Sequence, residues 1–431
     1  MQRLELWASP EPTIARVEAG TVRDQLAETG HDARDSDIAL IARLGVAASR
    51  YPVLWERDDL VWARRRLEAL RASGVAPIVT LVHHGSGPVG TDLLDDRFPE
   101  LLAAYAQRVA RAFPWVERWT PINEPLTTAR FATLYGLWYP NRVADHVAFG
   151  RAITNEALAI IGAMERIRAI NPRAQLVLTE DLQRFTAADP GVEGYVAHKR
   201  ERMYLSAELL MGRVVAGHPL YRYLTEECNV SSGRLRAIAE RATPPDLMGF
   251  NYYPHSERYL FSGPHGPENL AAVYIEDRPI TPRPLLRAAY ERLELPLALS
   301  EIHVRGTESE RAAWLLARVE DVLALRREGV PVVAAGAWAA FGMVDWHSLL
   351  RRRDGVVEDG IYTFARRDES PRCTEVSRTL QRLCAGETLE RPSCRPWWEC
   401  EERRLSRARA IALREAGRPE GDHLLVSSSA S

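Results

Sequence analysis

The sequence predicts a single (β/α)8 barrel of the α/β class with a short C-terminal extension. Three observations carry that expectation. Eight short apolar runs alternate with longer amphipathic ones across residues 1–367, the pattern of parallel strands separated by helices. The ends of those runs are unusually polar, as befits the barrel face where chemistry resides. No Gly-rich phosphate loop follows an early run, which counts against the alternative, an open doubly wound sheet.

Leu4–Ser9 reads as the first strand. Asp35–Leu44 reads as a helix with Ile38, Ile41 and Ala42 on one face and Gly45 as its stop. Val46–Pro52 is the second strand, and Asp58–Ser73 is a helix closed by Gly74. Pro77–His84 is so continuously apolar that burial on both faces is expected. A helix over 96–112 leads to Phe113–Arg118, which reads as the fourth strand, with Asn123-Glu124-Pro125 at its exit. Proline lacks the donor a ladder needs, so Glu124 is expected at the strand's end rather than inside the sheet.

A long helix over 146–170 ends before Asn171-Pro172. Gln175–Glu180 is the fifth strand, and residues 192–240 read as helical and irregular. Asp246–Tyr253 and Leu297–Glu301 are the sixth and seventh strands. A helix over 308–328 closes at Gly329 before the eighth strand, Val332–Trp338. Residues 368–431 form the extension. Cys394-Arg395-Pro396-Trp397-Trp398 is expected to pack back on the barrel, Arg403–Gly417 to form a charged helix, and Leu424–Ser431 to be a frayed tail.

Composition narrows the function classes. The 431 residues suffice for one large barrel, and a net charge of -2 with 46% hydrophobic residues fits a soluble globular protein without nucleic-acid or membrane partners. Arg351-Arg352-Arg353 and Arg366-Arg367 are local basic spots of the kind found on solvated faces. The N-terminus has no long apolar run after Arg3, and no stretch reaches about 18 uninterrupted apolar residues. The five cysteines are irregularly spaced with no CxxC pair, so a reduced, cytoplasmic protein is the expectation. No third ligand stands at a defined spacing from His84 and His303, so neither a metal nor another cofactor is expected.

The strand ends then suggest the chemistry. They place Arg50, His83-His84, Asn123-Glu124, Glu180-Asp181, Asn251-Tyr252-Tyr253, Glu301-Ile302-His303 and Trp338 around one mouth, with Asp345-Trp346 in the last loop. Glu124 and Glu301 face each other across it, and paired carboxylates are the apparatus of glycoside cleavage. Tryptophans supply flat platforms for sugar rings, and Asn, His and Arg bond hydroxyls. Glu180 reads as structural.

At these residues the chain resembles glycoside hydrolase family 1, the β-glucosidase family, over roughly residues 1–365. Arg50-Tyr51-Pro52-Val53-Leu54-Trp55 resembles Arg-Phe-Ser-Ile-Ser-Trp, and Thr80-Leu81-Val82-His83-His84 resembles Thr-Leu-Tyr-His-Trp. Thr120-Pro121-Ile122-Asn123-Glu124-Pro125 is similar to Thr-Phe-Asn-Glu-Pro, and Gly249-Phe250-Asn251-Tyr252-Tyr253 to Gly-Ile-Asn-Tyr-Tyr. Leu299-Ser300-Glu301 resembles the start of Ile-Thr-Glu-Asn-Gly, and Trp338 with Asp345-Trp346 falls where the family has Trp-Ser-Leu-Leu-Asp-Asn-Phe-Glu-Trp.

The resemblance implies Glu301 as nucleophile and Glu124 as acid/base in a retaining β-glycosidase acting on a small soluble glycoside. It implies Arg50 and Tyr253 as supports of the nucleophile's charge, and Asn123 and His83 as holders of sugar hydroxyls. Asn251, Trp338, Asp345 and Trp346 complete the sugar-binding set. Departures fall on the sugar-recognition shell. The family's early Gln has no counterpart near Pro12–Glu18, its Phe-Glu-Trp is Val344-Asp345-Trp346, its Glu-Asn-Gly is Glu301-Ile302-His303, and its His-Trp is His83-His84. Two alternatives stay open. One is a sugar-binding barrel with little or no turnover, resembling those found beside sugar-nucleotide reductase domains and so implying a sugar-nucleotide-modifying partner. The other is a transglycosidase using the same two carboxylates.

Overall fold

The computed structural model describes residues 3–18, 21–187, 190–260, 270–272 and 280–399. Its eight parallel strands are β1 (Glu5–Ala8), β2 (Ala48–Pro52), β3 (Ala76–His83), β4 (Arg118–Asn123), β5 (Gln175–Asp181), β6 (Leu247–Tyr252), β7 (Leu297–Ile302) and β8 (Val332–Ala337). Each pairs with the next, and β8 pairs back to β1, so the sheet closes into a (β/α)8 barrel. The helices that cover it include α1 (Asp37–Arg43), α2 (Leu60–Ala72), α3 (Phe98–Ala112), α4 (Pro125–Thr133) and α5 (His146–Arg168). After them come α6 (Ser232–Glu240), α7 (Arg283–Leu293), α8 (Glu308–Arg327) and α9 (Glu375–Cys384).

Helix starts follow local chemistry. Asp59 and Asp145 accept backbone N–H bonds at the heads of α2 and α5, and Thr307 with Glu310 makes a reciprocal cap on α8. α5 is long and apolar enough by composition to span a membrane, but it lies largely buried and packs against α3.

One expected element is corrected. Phe113–Arg118 is not the fourth strand: Phe113 ends α3, a turn follows, and the strand is Arg118–Asn123. Pro121 lies inside that strand. Its missing N–H is tolerated because the ladder between β4 and β5 is interrupted between Trp119 and Asn123. The short strands at Ile14–Glu18, Thr21–Asp24, Arg184–Ala187, Glu257–Leu260, Leu270–Ala272, Met343–Val344 and Val357–Glu358 were not expected. They sit in the loops after β1, β5, β6 and β8, so all of them build on the same end of the barrel.

Inside the barrel, Trp7, Ala48, Ile78, Val177, Leu247, Ala298 and Ala334 form a buried apolar layer. They come from seven of the eight strands and close its lower end, as inward-facing layers do in this architecture.

The extension packs as expected where it is described. Trp397 donates its indole N–H to the Arg305 carbonyl at 2.9 Å, and Trp398 meets Trp314 edge-on with centroids 5.1 Å apart. Arg403–Gly417 and Leu424–Ser431 lie outside the described residues. Trp398 is only 4% exposed, so Trp398→Ala leaves a void worth about 3–5 kcal/mol. Urea unfolding is expected to show that loss while kcat stays within about twofold.

Candidate active site

Side chains alternate along a strand, so counting in twos from the apolar layer identifies what faces the mouth. From Trp7 the count gives Ser9, from Ala48 Arg50, from Val177 Thr179 and Asp181, from Leu247 Asn251, and from Ala334 Trp338. β7 breaks the count. Its pairing with β6 shifts register between Leu299 and Glu301, and this irregularity re-aims the strand end. Ser300 bonds the Asn251 side chain at 2.6 Å. Room for Ser300 exists because β6 and β8 carry Gly249 and Gly336; a Cβ there would meet Ser300 Oγ at 2.7 Å and Ser300 O at 2.3 Å.

Glu301 is 4% exposed and firmly held. The Arg50 guanidinium donates to one carboxylate oxygen and the Tyr253 hydroxyl to the other. Arg50 is itself fixed. It donates to Asn123 Oδ1 at 2.7 Å and lies 4.8 Å over the Trp338 ring. Burial raises the Glu301 carboxyl above its usual range, while the Arg50 charge and the bonds from Tyr253 and Arg50 pull it back.

Glu124 has different surroundings. Its backbone N–H donates to Thr179 O at 3.1 Å, and its φ of 46° lies in the left-handed region. A non-glycine residue held there stores of order 1–3 kcal/mol of strain, which is characteristic of functional positions. Pro125 follows as the first residue of α4. Asn251 Nδ2 donates to Glu124 Oε1, and His84 Nε2 stands 3.7 Å from Oε2. His84 is neutral, its pKa lowered to about 3, first by burial and then by Arg50. Glu124 itself is raised well above the carboxylate range by burial, then by the charges of Asp181, Glu301 and Glu180, against only the Asn251 bond.

Asn123 links the two carboxylates' supports. Its Oδ1 accepts from Arg50 and from Thr179 Oγ1 at 2.8 Å, and its Nδ2 lies 3.3 Å from His83 Nε2. His83 stacks on Trp338 with centroids 5.7 Å apart and planes 8° from parallel. The Trp338–Ala339 peptide is cis, and His303 Nδ1 donates to the Trp338 carbonyl at 2.9 Å. These residues thus share one mouth; Tyr252 does not, since its ring stacks on Trp314 of α8 and its hydroxyl donates to Glu257 at 2.8 Å, and Asp345 and Glu180 have duties of their own.

Asp345 has both oxygens engaged elsewhere: Oδ2 pairs with Arg23 at 2.9 Å and Oδ1 accepts from Val356 N at 2.8 Å. The shorter side chain anchors its own loop. Glu180 accepts from Leu126 N at 2.8 Å and so caps α4, the structural duty expected of it.

Trp346, by contrast, faces the aromatic wall. Its ring lies 5.9 Å from His84 and 6.3 Å from Trp138, and its indole N–H is buried with no partner among the described residues.

One mouth residue, Glu11, was missed from the sequence. Glu11, just past β1, accepts from Trp338 Nε1 at 3.1 Å and from Thr13 N and Oγ1, and is raised to about 7 by burial. Its Oε1 is 3.9 Å from His83 Nε2. It places a carboxyl at the mouth just before Pro12–Glu18, the stretch with no counterpart of the family's early Gln. A strand-end rule applied to β1 locates Glu11, as the same rule placed Asp181 at the end of β5. Among the described residues no group of His, Cys, Asp and Glu is arranged to hold a metal ion.

A family profile described as glycosyl hydrolase family 1 matches residues 15–260, a span that includes Glu124 and ends before Glu301. β-Glucosidase A of Thermotoga maritima is 22% identical, over 82% of this chain and 86% of that protein. A 1,4-β-D-glucan glucohydrolase of Thermotoga neapolitana is 20% identical, over 82% of this chain and 91% of its own length. Among solved structures, the family 1 β-glucosidase from Thermotoga maritima aligns with a TM-score of 0.73 at 17% identity, covering 90% of this chain and 98% of that one.

Proposed function

The chain belongs to glycosyl hydrolase family 1, and from that premise we propose that it hydrolyses a small soluble β-glycoside by retaining double displacement. The observation that carries this reading is the unequal support of the two glutamates. Arg50 and Tyr253 both bond Glu301, which favours its carboxylate form. Among the described residues no guanidinium or ammonium pairs with Glu124, which burial and neighbouring carboxylates keep protonated.

In the first step a Glu301 oxygen attacks the anomeric carbon. The bond from that carbon to the leaving oxygen breaks, and the Glu124 proton passes to that oxygen. In the second step Glu124 takes a proton from water, the water oxygen attacks the anomeric carbon, and Glu301 departs as carboxylate. Asn123 and His83 stand where sugar hydroxyls are held, and Trp338 and Trp346 offer apolar faces to the ring. The relatives are named for β-glucosidase and glucan glucohydrolase activities, so a β-glucoside heads the substrates to try.

The test is a panel of nitrophenyl β-glycosides with the first-formed sugar's anomer read by NMR. We expect release of nitrophenol with the β-anomer appearing first. Appearance of the α-anomer first rules out double displacement, and turnover of no glycoside on the panel rules out the enzyme reading.

A further inference from the structure

Besides Glu11, a further carboxylate, Asp181, shares the mouth with Glu124 and Glu301. Asp181 ends β5 in step with Val177 of the apolar layer and with Thr179, whose hydroxyl reaches Asn123 inside the barrel. It is in register with Asn251 on β6, the residue whose amide bonds Glu124. The backbone of the same strand, through Thr179 O, receives the Glu124 N–H. One Asp181 oxygen accepts from Gln183 Nε2; the other, Oδ1, is buried with no partner among the described residues.

We propose that Asp181 is a positioning residue for proton transfer: its charge keeps Glu124 as the protonated member of the catalytic pair. The proposal rests on Glu124 being the acid/base. Its logic is where the cations stand. Arg50 serves Glu301. Arg258, from the strand Glu257–Leu260, and Arg130, from α4, act on Asp181. Burial lifts Asp181, and these two arginines with the Gln183 amide hold it back. Glu124 faces Asp181 and Glu180 from β5, Glu301 from β7 and the neutral His84 beyond β3. After burial, Asp181 is the strongest influence raising it, ahead of Glu301. Of Glu301, Asp181 and Glu124, the first two have arginines acting on them, so the shared proton falls to Glu124, the group that must deliver it.

The test compares Asp181→Asn with wild type on the pH profile of kcat/KM for an alkyl β-glycoside, whose departure needs a proton. The isosteric amide removes charge and keeps shape. The upper limb is expected to move down by about one pH unit, with kcat/KM on the acidic side within about threefold of wild type. A β-glycosyl fluoride, whose leaving group needs no proton, is expected to be cleaved at an unchanged rate. An unmoved upper limb overturns the proposal, as does an equal loss on both substrates at every pH. Glu124→Gln is run alongside: if it loses both substrates equally, the acid/base reading fails instead, whatever Asp181→Asn does.

Discussion

Glu301→Gln is expected to lower kcat on any accepted glycoside by about 10⁴-fold or more, equivalent to about 5 kcal/mol or more of transition-state stabilisation. The amide keeps the shape of the side chain but cannot form the ester to the anomeric carbon. The amide oxygen can still accept from Arg50 and the amide nitrogen can donate to the Tyr253 hydroxyl, and Arg50 retains Asn123 as acceptor, so the fold is expected to survive loss of the ion pair. The check has two parts. A 2-deoxy-2-fluoro-β-glycoside should add its glycosyl mass to the peptide carrying Glu301 in wild type and leave Glu301→Gln unlabelled. Thermal unfolding should show the variant folded. Retention of more than about one per cent of kcat removes Glu301 from the nucleophile's role.

Legibility from sequence followed burial. Strands such as Ala76–His83 are buried along almost their whole length, and that demands a continuous apolar run that can be read directly. The fourth strand was misplaced because two prolines, Pro114 and Pro121, made a local rule ambiguous; only the interrupted ladder to β5 explains which one is tolerated. Glu124 was visible because its left-handed backbone and the proline after it form a local signature. Glu301 has no such signature. It reaches the mouth through an irregularity in β7 that depends on Gly249 and Gly336 in the neighbouring strands, a relation no window along the chain contains.

The recognition shell was legible only in part for the same reason. Asp345 stands at a sequence position that suggests sugar binding, but its partner Arg23 is 322 residues away, and the pair ties the last loop to the first. Glu11 was hidden between Pro10 and Pro12 before the first hairpin, and only the indole of Trp338 shows that it faces the mouth. The mouth thus carries a carboxyl from the β1 loop beside His83 and Trp338, while the Asp345 carboxyl is tied to Arg23 and the Val356 N–H. Glu124 and Glu301 stand at the ends of β4 and β7, whereas Glu11 and Asp345 lie in the loops after β1 and β8, so the one pair can be kept while the other is rebuilt.

The catalytic half that is retained makes a sharp expectation for Glu124→Gln, whose loss should depend on the leaving group. For an alkyl glycoside, kcat/KM is expected to fall about 10²–10⁴-fold, the worth of a general acid. For a dinitrophenyl glycoside it should fall less than about tenfold, since that leaving group departs without a proton. Hydrolysis of the intermediate then becomes limiting, because no base activates water. In the glycosyl-enzyme Glu124 has given up its proton, so glutamine in its place removes a negative charge beside the anomeric carbon, and azide can enter and attack that carbon unaided. Azide at about 0.1 M is expected to restore dinitrophenyl glycoside turnover at least about tenfold and to yield the β-glycosyl azide. The upper limb of the pH profile should vanish as well, because burial and like charge raise Glu124 in the wild type, and deprotonation at high pH is what switches the acid off. Formation of the α-azide instead would assign Glu124 the role of nucleophile and exchange the two glutamates.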